Sequence, residues 1–128
     1  MIGPVVLKME EKTLRRTGRQ EFAVACGDEI VGVVELQNHD AVDMRAEIGI
    51  YIEERYRGKG YGRAAIEELM KHCKEVLGLH QVVCDVAVSN TASLRLFESL
   101  GFAPCGTLKE WTATPDGWCD AVRMQKIL

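Results

Sequence analysis

The sequence has no long apolar run, no broad excess of either charge, no C-x-x-C pair, and no internal repeat, low-complexity segment or linker. Each absence removes a class of function. Without an apolar stretch near the length of a bilayer span there is no candidate membrane helix, and the start, MIGPVVLKMEEK, lacks a basic region followed by a long apolar core. A cytoplasmic address with no membrane partner is therefore expected. A net charge of −3 and a pI near 5.6 argue against a nucleic-acid partner, whose footprint would be a broad basic face. The five cysteines, Cys26, Cys73, Cys84, Cys105 and Cys119, are odd in number and widely spaced, so they read as reduced core residues. His72 and Cys73 are adjacent on a helix and point about 100° apart, so they cannot converge on one metal, and no metal is expected. What remains is 128 residues, 47% of them hydrophobic, enough to build the core of one domain spanning 1–128.

The most informative stretch is 44–77, MRAEIGIYIEERYRGKGYGRAAIEELMKHCKEVL. Residues 44–52 alternate as a half-buried strand does, with Ala46, Ile48, Ile50 and Ile52 on one face and Arg45, Glu47, Gly49 and Tyr51 on the other. From Gly62 on, apolar positions at 62, 66, 69, 73 and 76 predict an amphipathic helix over 60–77. Between them lies a loop of glycine and basic residues. A helix N-terminus exposes backbone N–H groups without intrahelical partners, and its dipole favours an anion. Gly58, Gly60 and Gly62 clear side chains from that point, while Arg55, Arg57 and Lys59 surround it with positive charge. The loop suits a pyrophosphate. A Walker loop is set aside because Gly58-Lys59 continues into Gly60 and Tyr61, leaving no hydroxyl for magnesium. A dinucleotide fingerprint fits poorly, since its third glycine would fall one residue after Gly62 and Asp85 meets the acidic requirement only loosely. The remaining alternative is a basic surface turn with no ligand.

Around this unit, a short helix over 10–16 is predicted within an N-terminal segment of otherwise unclear structure, with Gly18 as its stop. Strands 21–26 and 29–36 flank the two-residue hairpin signal Gly27-Asp28, and 37–40 reads as a turn. Gly78 is a helix C-cap, and 81–88 is a nearly unbroken apolar run expected to be a buried parallel strand. Strand 44–52, helix 60–77 and strand 81–88 then form a right-handed crossover. Ser89 or Asn90 caps a helix over 91–100 that Gly101 ends. Strands 102–111 and 118–127 pair across Thr114-Pro115-Asp116-Gly117.

The run Arg57-Gly58-Lys59-Gly60-Tyr61-Gly62 resembles the Arg/Gln-x-x-Gly-x-Gly/Ala acetyl-CoA pyrophosphate motif of the Gcn5-related N-acetyltransferase (GNAT) superfamily. A second segment, from Asn90-Thr91-Ala92-Ser93 through Leu96-Phe97 to Gly101-Phe102, resembles that family's Asn-x-x-Ala/Ser-x-x-Leu-Tyr/Phe-x-x-x-Gly-Phe signature. The tail from Trp111 through Gly117-Trp118 to Lys126 is similar to the branch with spermidine/diamine and ribosomal-protein acetyltransferases. The resemblance implies an α/β (α+β) fold: a mixed, mostly antiparallel central sheet with one parallel βαβ crossover and flanking helices. It also implies acetyl-CoA as co-substrate, a primary amine as acceptor (a polyamine-like cation or a protein amine), and a homodimer as the partner state.

In that family the strands matching 44–52 and 81–88 part, and the cofactor arm lies in the gap. Carried over, Ile50 and Ile52 supply backbone partners, Arg57, Gly58, Lys59, Gly60, Tyr61 and Gly62 hold the pyrophosphate, and Asn90 bonds the arm from the other side. Asn90 is equally explained as a helix cap, and Ile50 and Ile52 as core. Glu47 matches the glutamate many members use as base, with an exposed sheet residue as its alternative and Glu53 and Glu54 as second choices. Two departures stand out. Phe97 occupies the place where many members carry a tyrosine that protonates the leaving thiolate. The N-terminal part is also too short for the family's first strand and two helices, which leaves three alternatives: truncation, an open acceptor side, or completion by a partner subunit. A non-catalytic acyl-CoA-binding or partner-binding module and a nucleotide-binding regulatory domain are the competing readings.

Overall fold

The computed structural model describes residues 2–10 and 19–128. Among them, seven strands form one sheet: β1 (Val5–Glu10), β2 (Gln20–Cys26), β3 (Glu29–Asp40), β4 (Arg45–Ile52), β5 (Gln81–Ala87), β6 (Ala103–Thr114) and β7 (Gly117–Ile127), in the order β1-β2-β3-β4-β5-β7-β6. Two helices accompany them, α1 (Tyr61–Glu75) and α2 (Thr91–Ser99), with a 3₁₀ turn at Glu54–Tyr56. All neighbouring strands are antiparallel except β4 and β5. The expected mixed sheet and its parallel crossover through α1 are thus present.

The alternation along the strands decides which face is covered. Phe22, Val24, Val34, Leu36, Ala46, Ile48, Val82, Cys84, Val86 and Met124 meet Ala65, Ile66, Leu69, Cys73 and Phe97 from the two helices in one buried cluster. The intervening residues Glu21, Glu35, Glu47, Asp85 and Arg123 stand on the opposite face and pair with one another or with Arg19. A strand surface of period 2 gives one apolar and one polar side, and among the described residues the helices pack on the apolar side.

Several boundaries differ from expectation. The N-terminal segment contains a strand, β1, seated antiparallel on β2 with Val5 and Leu7 against the core. Glu10 ends that strand, and the remainder of the expected helix over 10–16 lies outside the described residues. Residues 37–40 are not a turn: β3 continues to Asp40 through a bulge between Gln37 and Asp40. The turn follows, with the Asp40 carboxylate accepting from the N–H groups of Val42 (2.9 Å) and Asp43 (2.8 Å), a side-chain substitute for a backbone turn. Those two bonds hold the Asp40 carboxyl below its ordinary range.

Strand β5 is half-buried, not wholly buried: Val82, Cys84 and Val86 are inside and Asp85 is exposed. Its parallel pairing covers three residues, whereas seven pair antiparallel with β7. Helix α1 stops at Glu75 and leaves Val76 69% exposed, outside the apolar stripe that the spacing assigned it. Gly78 at φ 64° then turns the chain so that the Leu79 N–H reaches the Cys73 carbonyl at 2.9 Å. Of the cysteines, only Cys73 and Cys84 belong to the core. Cys105 is exposed and Cys26 and Cys119 are intermediate: Cys26 ends β2 at the edge of the core, while Cys105 and Cys119 sit on the late hairpin.

Candidate functional site

The parallel ladder between β4 and β5 runs only through Arg45–Gln81, Ala46–Val82 and Glu47–Val83. Beyond Glu47 the two strands separate, although β4 continues to Ile52 and β5 to Ala87. This leaves a row of strand-edge groups with no neighbour on that side, a ready site for an extended, hydrogen-bonding ligand.

The gap holds a cleft of about 350 Å³, walled by Ile48, Gly49 and Ile50 on one side, Cys84, Asp85 and Val86 on the other, and Phe97 from α2. It opens into an outer groove of about 510 Å³ lined by Ile52, Arg57, Gly58, Gly60, Tyr61, Gly62 and Arg63. Ile50, Tyr51, Asn90 and Ser93 border both, so the two form one passage.

The outer end of that passage is the N-terminus of α1. Gly60, its N-cap residue, makes no side-chain cap hydrogen bond, and the first turn carries no acidic residue. Among the described residues the first N–H groups of the helix therefore receive no side-chain cap. Gly58 and Gly60 stand at φ 72° and 93°, in the left-handed region that glycine tolerates and a branched residue does not. Gly62 is needed for a different reason: a Cβ there would lie 3.2 Å from Leu96 Cδ2, so its smallness lets α2 approach α1. The basic side chains divide in role. The Arg57 guanidinium donates to the Ile52 carbonyl at 2.8 Å and lies 5.3 Å from the Tyr51 ring centroid, bracing the loop. Arg55 lies over the Tyr56 ring, and Arg63 bonds Ser99 and pairs with Glu67.

Of the residues expected at the cofactor site, Ile50, Ile52, Arg57, Gly58, Gly60, Tyr61, Gly62, Asn90 and Phe97 border the passage, while Lys59 lies exposed outside its walls. Asn90 is both cap and wall: its side-chain oxygen accepts from the Ser93 N–H at 3.1 Å, which leaves its amide nitrogen to donate. Phe97 is 2% exposed and edge-on to Phe102 at 5.0 Å, so it belongs to the core and to the cleft wall at once.

Glu47 is the last residue of β4 to pair with β5, on the open face of the sheet. It lies at the inner end of the gap without lining either cavity. Arg123 donates to it at 2.9 Å and Asn38 bonds its other oxygen. Asn38 reaches it from the bulge in β3, at φ 50°. Arg123 also bonds both oxygens of Asp85, at 2.8 and 2.9 Å, and that carboxylate raises the guanidinium above its ordinary range. Sequence reasoning passed over Glu35 and Arg123, and it quoted Ser93 within the Asn90-led signature without assigning it to the site. The place of Glu35 and Arg123 depends on strand register, and the one sign for Glu35 was that it shares the alternation of β3. Burial pushes the Cys84 thiol up to about 12, so it faces the cleft as a protonated, unreactive group. Among the described residues, no three His, Cys, Asp or Glu side chains are grouped to hold a metal ion.

A family model described as "Acetyltransferase (GNAT) domain" matches residues 6–103. The chain belongs to the GNAT acetyltransferase family. Among curated relatives, spermidine N(1)-acetyltransferase of Escherichia coli K12 is 30% identical over 114 residues, covering 89% of this chain and 61% of that protein. The Vibrio cholerae enzyme of the same name is 33% identical over 81 residues, 63% of this chain and 47% of its own. The putative ribosomal N-acetyltransferase YdaF of Bacillus subtilis is 35% identical over 81 residues, 63% and 44% respectively. The chain thus spans about half the length of the curated relatives it matches. The dodecameric structure of Vibrio cholerae spermidine N-acetyltransferase superposes with a TM-score of 0.84 at 28% identity, over 91% of this chain and 69% of that one. The parted strands, the glycine-led helix and the α2 wall of this GNAT chain therefore belong to a fold shared with acetyltransferases, and acetyl-CoA is the family's co-substrate.

Proposed function

We propose that residues 1–128 form one acetyltransferase domain that transfers an acetyl group from acetyl-CoA to a primary amine, either a polyamine-like cation or a protein amine. The observation that carries this reading is the separation of β4 from β5 after Glu47, with an uncapped, glycine-led helix N-terminus at the mouth of the gap. Acetyl-CoA supplies an activated acyl group, and its anionic end fits the N–H groups ahead of α1, with the basic residues nearby. Ile50 and Ile52 present strand-edge backbone to the arm, although the Ile52 carbonyl already accepts from Arg57. Asn90 donates from the opposite wall. Lys59 contributes charge at longer range.

Transfer forms a C–N bond and breaks a C–S bond, and the attacking nitrogen must lose a proton. Glu47, at the inner end of the gap, accepts that proton through water, with Asn38 and Arg123 fixing its carboxylate. The leaving thiolate takes its proton from water, since Phe97 has none to give. The domain works in the cytoplasm as a homodimer, without metal, nucleic acid or membrane.

Free-thiol release from acetyl-CoA, measured against diamines, polyamines, aminoglycosides, amino acids and N-terminal peptides, tests the proposal. Turnover with at least one amine class is expected. A thermal shift with acetyl-CoA but no thiol release with any acceptor would favour the non-catalytic acyl-CoA module, the reading that Phe97 supports. Shifts with ATP or NAD alone would favour a nucleotide-binding domain.

A further inference from the structure

The inner cleft has a carboxylate wall supplied by a strand that does not border the gap. Glu35 belongs to β3, on the far side of β4 from β5, yet it lines the cleft opposite Asp85. Gly49 explains how. It is the register partner of Glu35 on β4, and a Cβ at this position would lie 3.0 Å from a Glu35 carboxylate oxygen and 3.2 Å from its Cγ. What glycine provides here is space: any side chain at 49 would stand between Glu35 and the cleft. The carboxylate is held in place by the Gln37 amide at 2.6 Å and by Arg19 at 3.5 Å.

In the ladder, Gln37 is the partner of Glu47, so Glu35 lies one strand over and two residues along from the proposed base. Strand spacing makes that a backbone separation of about 8 Å. Among the described residues, Arg19 is shared by Glu21 and Glu35, and Arg123 by Glu47 and Asp85. Of these groups the two carboxylates Glu35 and Asp85 line the cleft itself, and no Lys or Arg is among its described lining residues.

We propose that Glu35 is a specificity-determining residue, which receives a second, non-reacting cation of the acceptor while the reacting nitrogen lies near Glu47. The enzyme then prefers diamines to amines of equal length with one charge. This rests on the amine-acetylation reading above.

The test compares diaminobutane with aminobutanol, which differ by one charge, in thiol-release kinetics of the parent, Glu35→Gln and Gly49→Ala. For the parent, a KM for the diamine lower by roughly tenfold or more is expected, the range of one charge-assisted hydrogen bond. Glu35→Gln should bring the two KM values within about twofold, leaving kcat and the acetyl-CoA KM in place, a split that general structural damage would not produce. Gly49→Ala should compress the ratio in the same direction by displacing the Glu35 carboxylate, and it serves as the independent reading where melting shows Glu35→Gln to be damaged. An unchanged ratio in the folded variants, or a parent without preference, overturns the role of Glu35 alone. A parent that releases thiol with no amine overturns the acetylation reading, and this inference with it.

Discussion

Replacing Phe97 with tyrosine adds one hydroxyl to a ring that is 2% exposed, packed edge-on against Phe102 at an interplanar angle of 74°, and bordered by Ile48, Cys84 and Val86 at the inner cleft. Two outcomes compete. A hydroxyl buried in the apolar packing without a partner costs about 1–3 kcal/mol. For a chain of this size each kcal/mol lowers Tm by roughly 3–5 °C, so the loss would be plain in a melt. A hydroxyl that reaches the cleft is solvated, costs little, and offers the thiolate a proton donor. Because Phe97 is itself part of the cleft wall, the second outcome is expected. Tm should stay within about 3 °C and acetyl-CoA affinity within about twofold. Turnover should rise a few-fold, short of the ~10² to 10⁴ of a well-positioned acid, since water already serves the parent. Thiol release, calorimetric titration and thermal melting on this one variant decide the matter. A protein that melts more than roughly 5 °C lower with no gain in rate would refute the placement of the ring at the reacting end of the gap.

Gly60→Val places a β-branched residue at φ 93°, which should cost about 1–3 kcal/mol of stability. It should also weaken acetyl-CoA binding tenfold or more, about 1.4 kcal/mol, and undiminished affinity by calorimetry in the folded variant would count against the cradle. Glu47→Gln keeps the shape and removes the base, so turnover near neutrality should fall by roughly 10²-fold with acetyl-CoA affinity unchanged, and the deficit should shrink at high pH, where the amine is already neutral. Equal rates at pH 7 would move the base elsewhere. His72 packs edge-on against Phe22 and, among the described residues, its buried Nε2 has no hydrogen-bond partner. Burial lowers its pKa below 6.5, so the unfolded chain binds the extra proton and the parent loses stability as pH falls from 6.5 through the folded value. His72→Leu should abolish that slope and add about 1 kcal/mol; denaturant titrations giving the same slope for both proteins would contradict it.

Local chemistry reached far along this chain. Alternation in 44–52, glycine spacing at 58, 60 and 62, the amphipathic stripe of α1, the Asn90 cap and the Pro115-Asp116 turn each depend on residues a few positions apart, and each is legible in the sequence. The errors arose where a local signal was overridden from a distance. Asn38, His39 and Asp40 have turn composition, but β4 supplies a partner that extends β3 through a bulge, and the turn moves one step on. The apolar run 81–88 suggested burial on both faces, but among the described residues the helices pack on one, and Asp85 stands on the other beside Arg123. The site divides in the same way. Backbone donors at the head of α1 are set by nearest neighbours and could be named in advance. The gap between β4 and β5, the clamp that ties Glu47 and Asp85 to Arg123, and the passage of Glu35 over Gly49 join residues up to 76 positions apart. Such contacts are created by strand order and register, and these are properties of the whole sheet, decided only when every strand has found its neighbour.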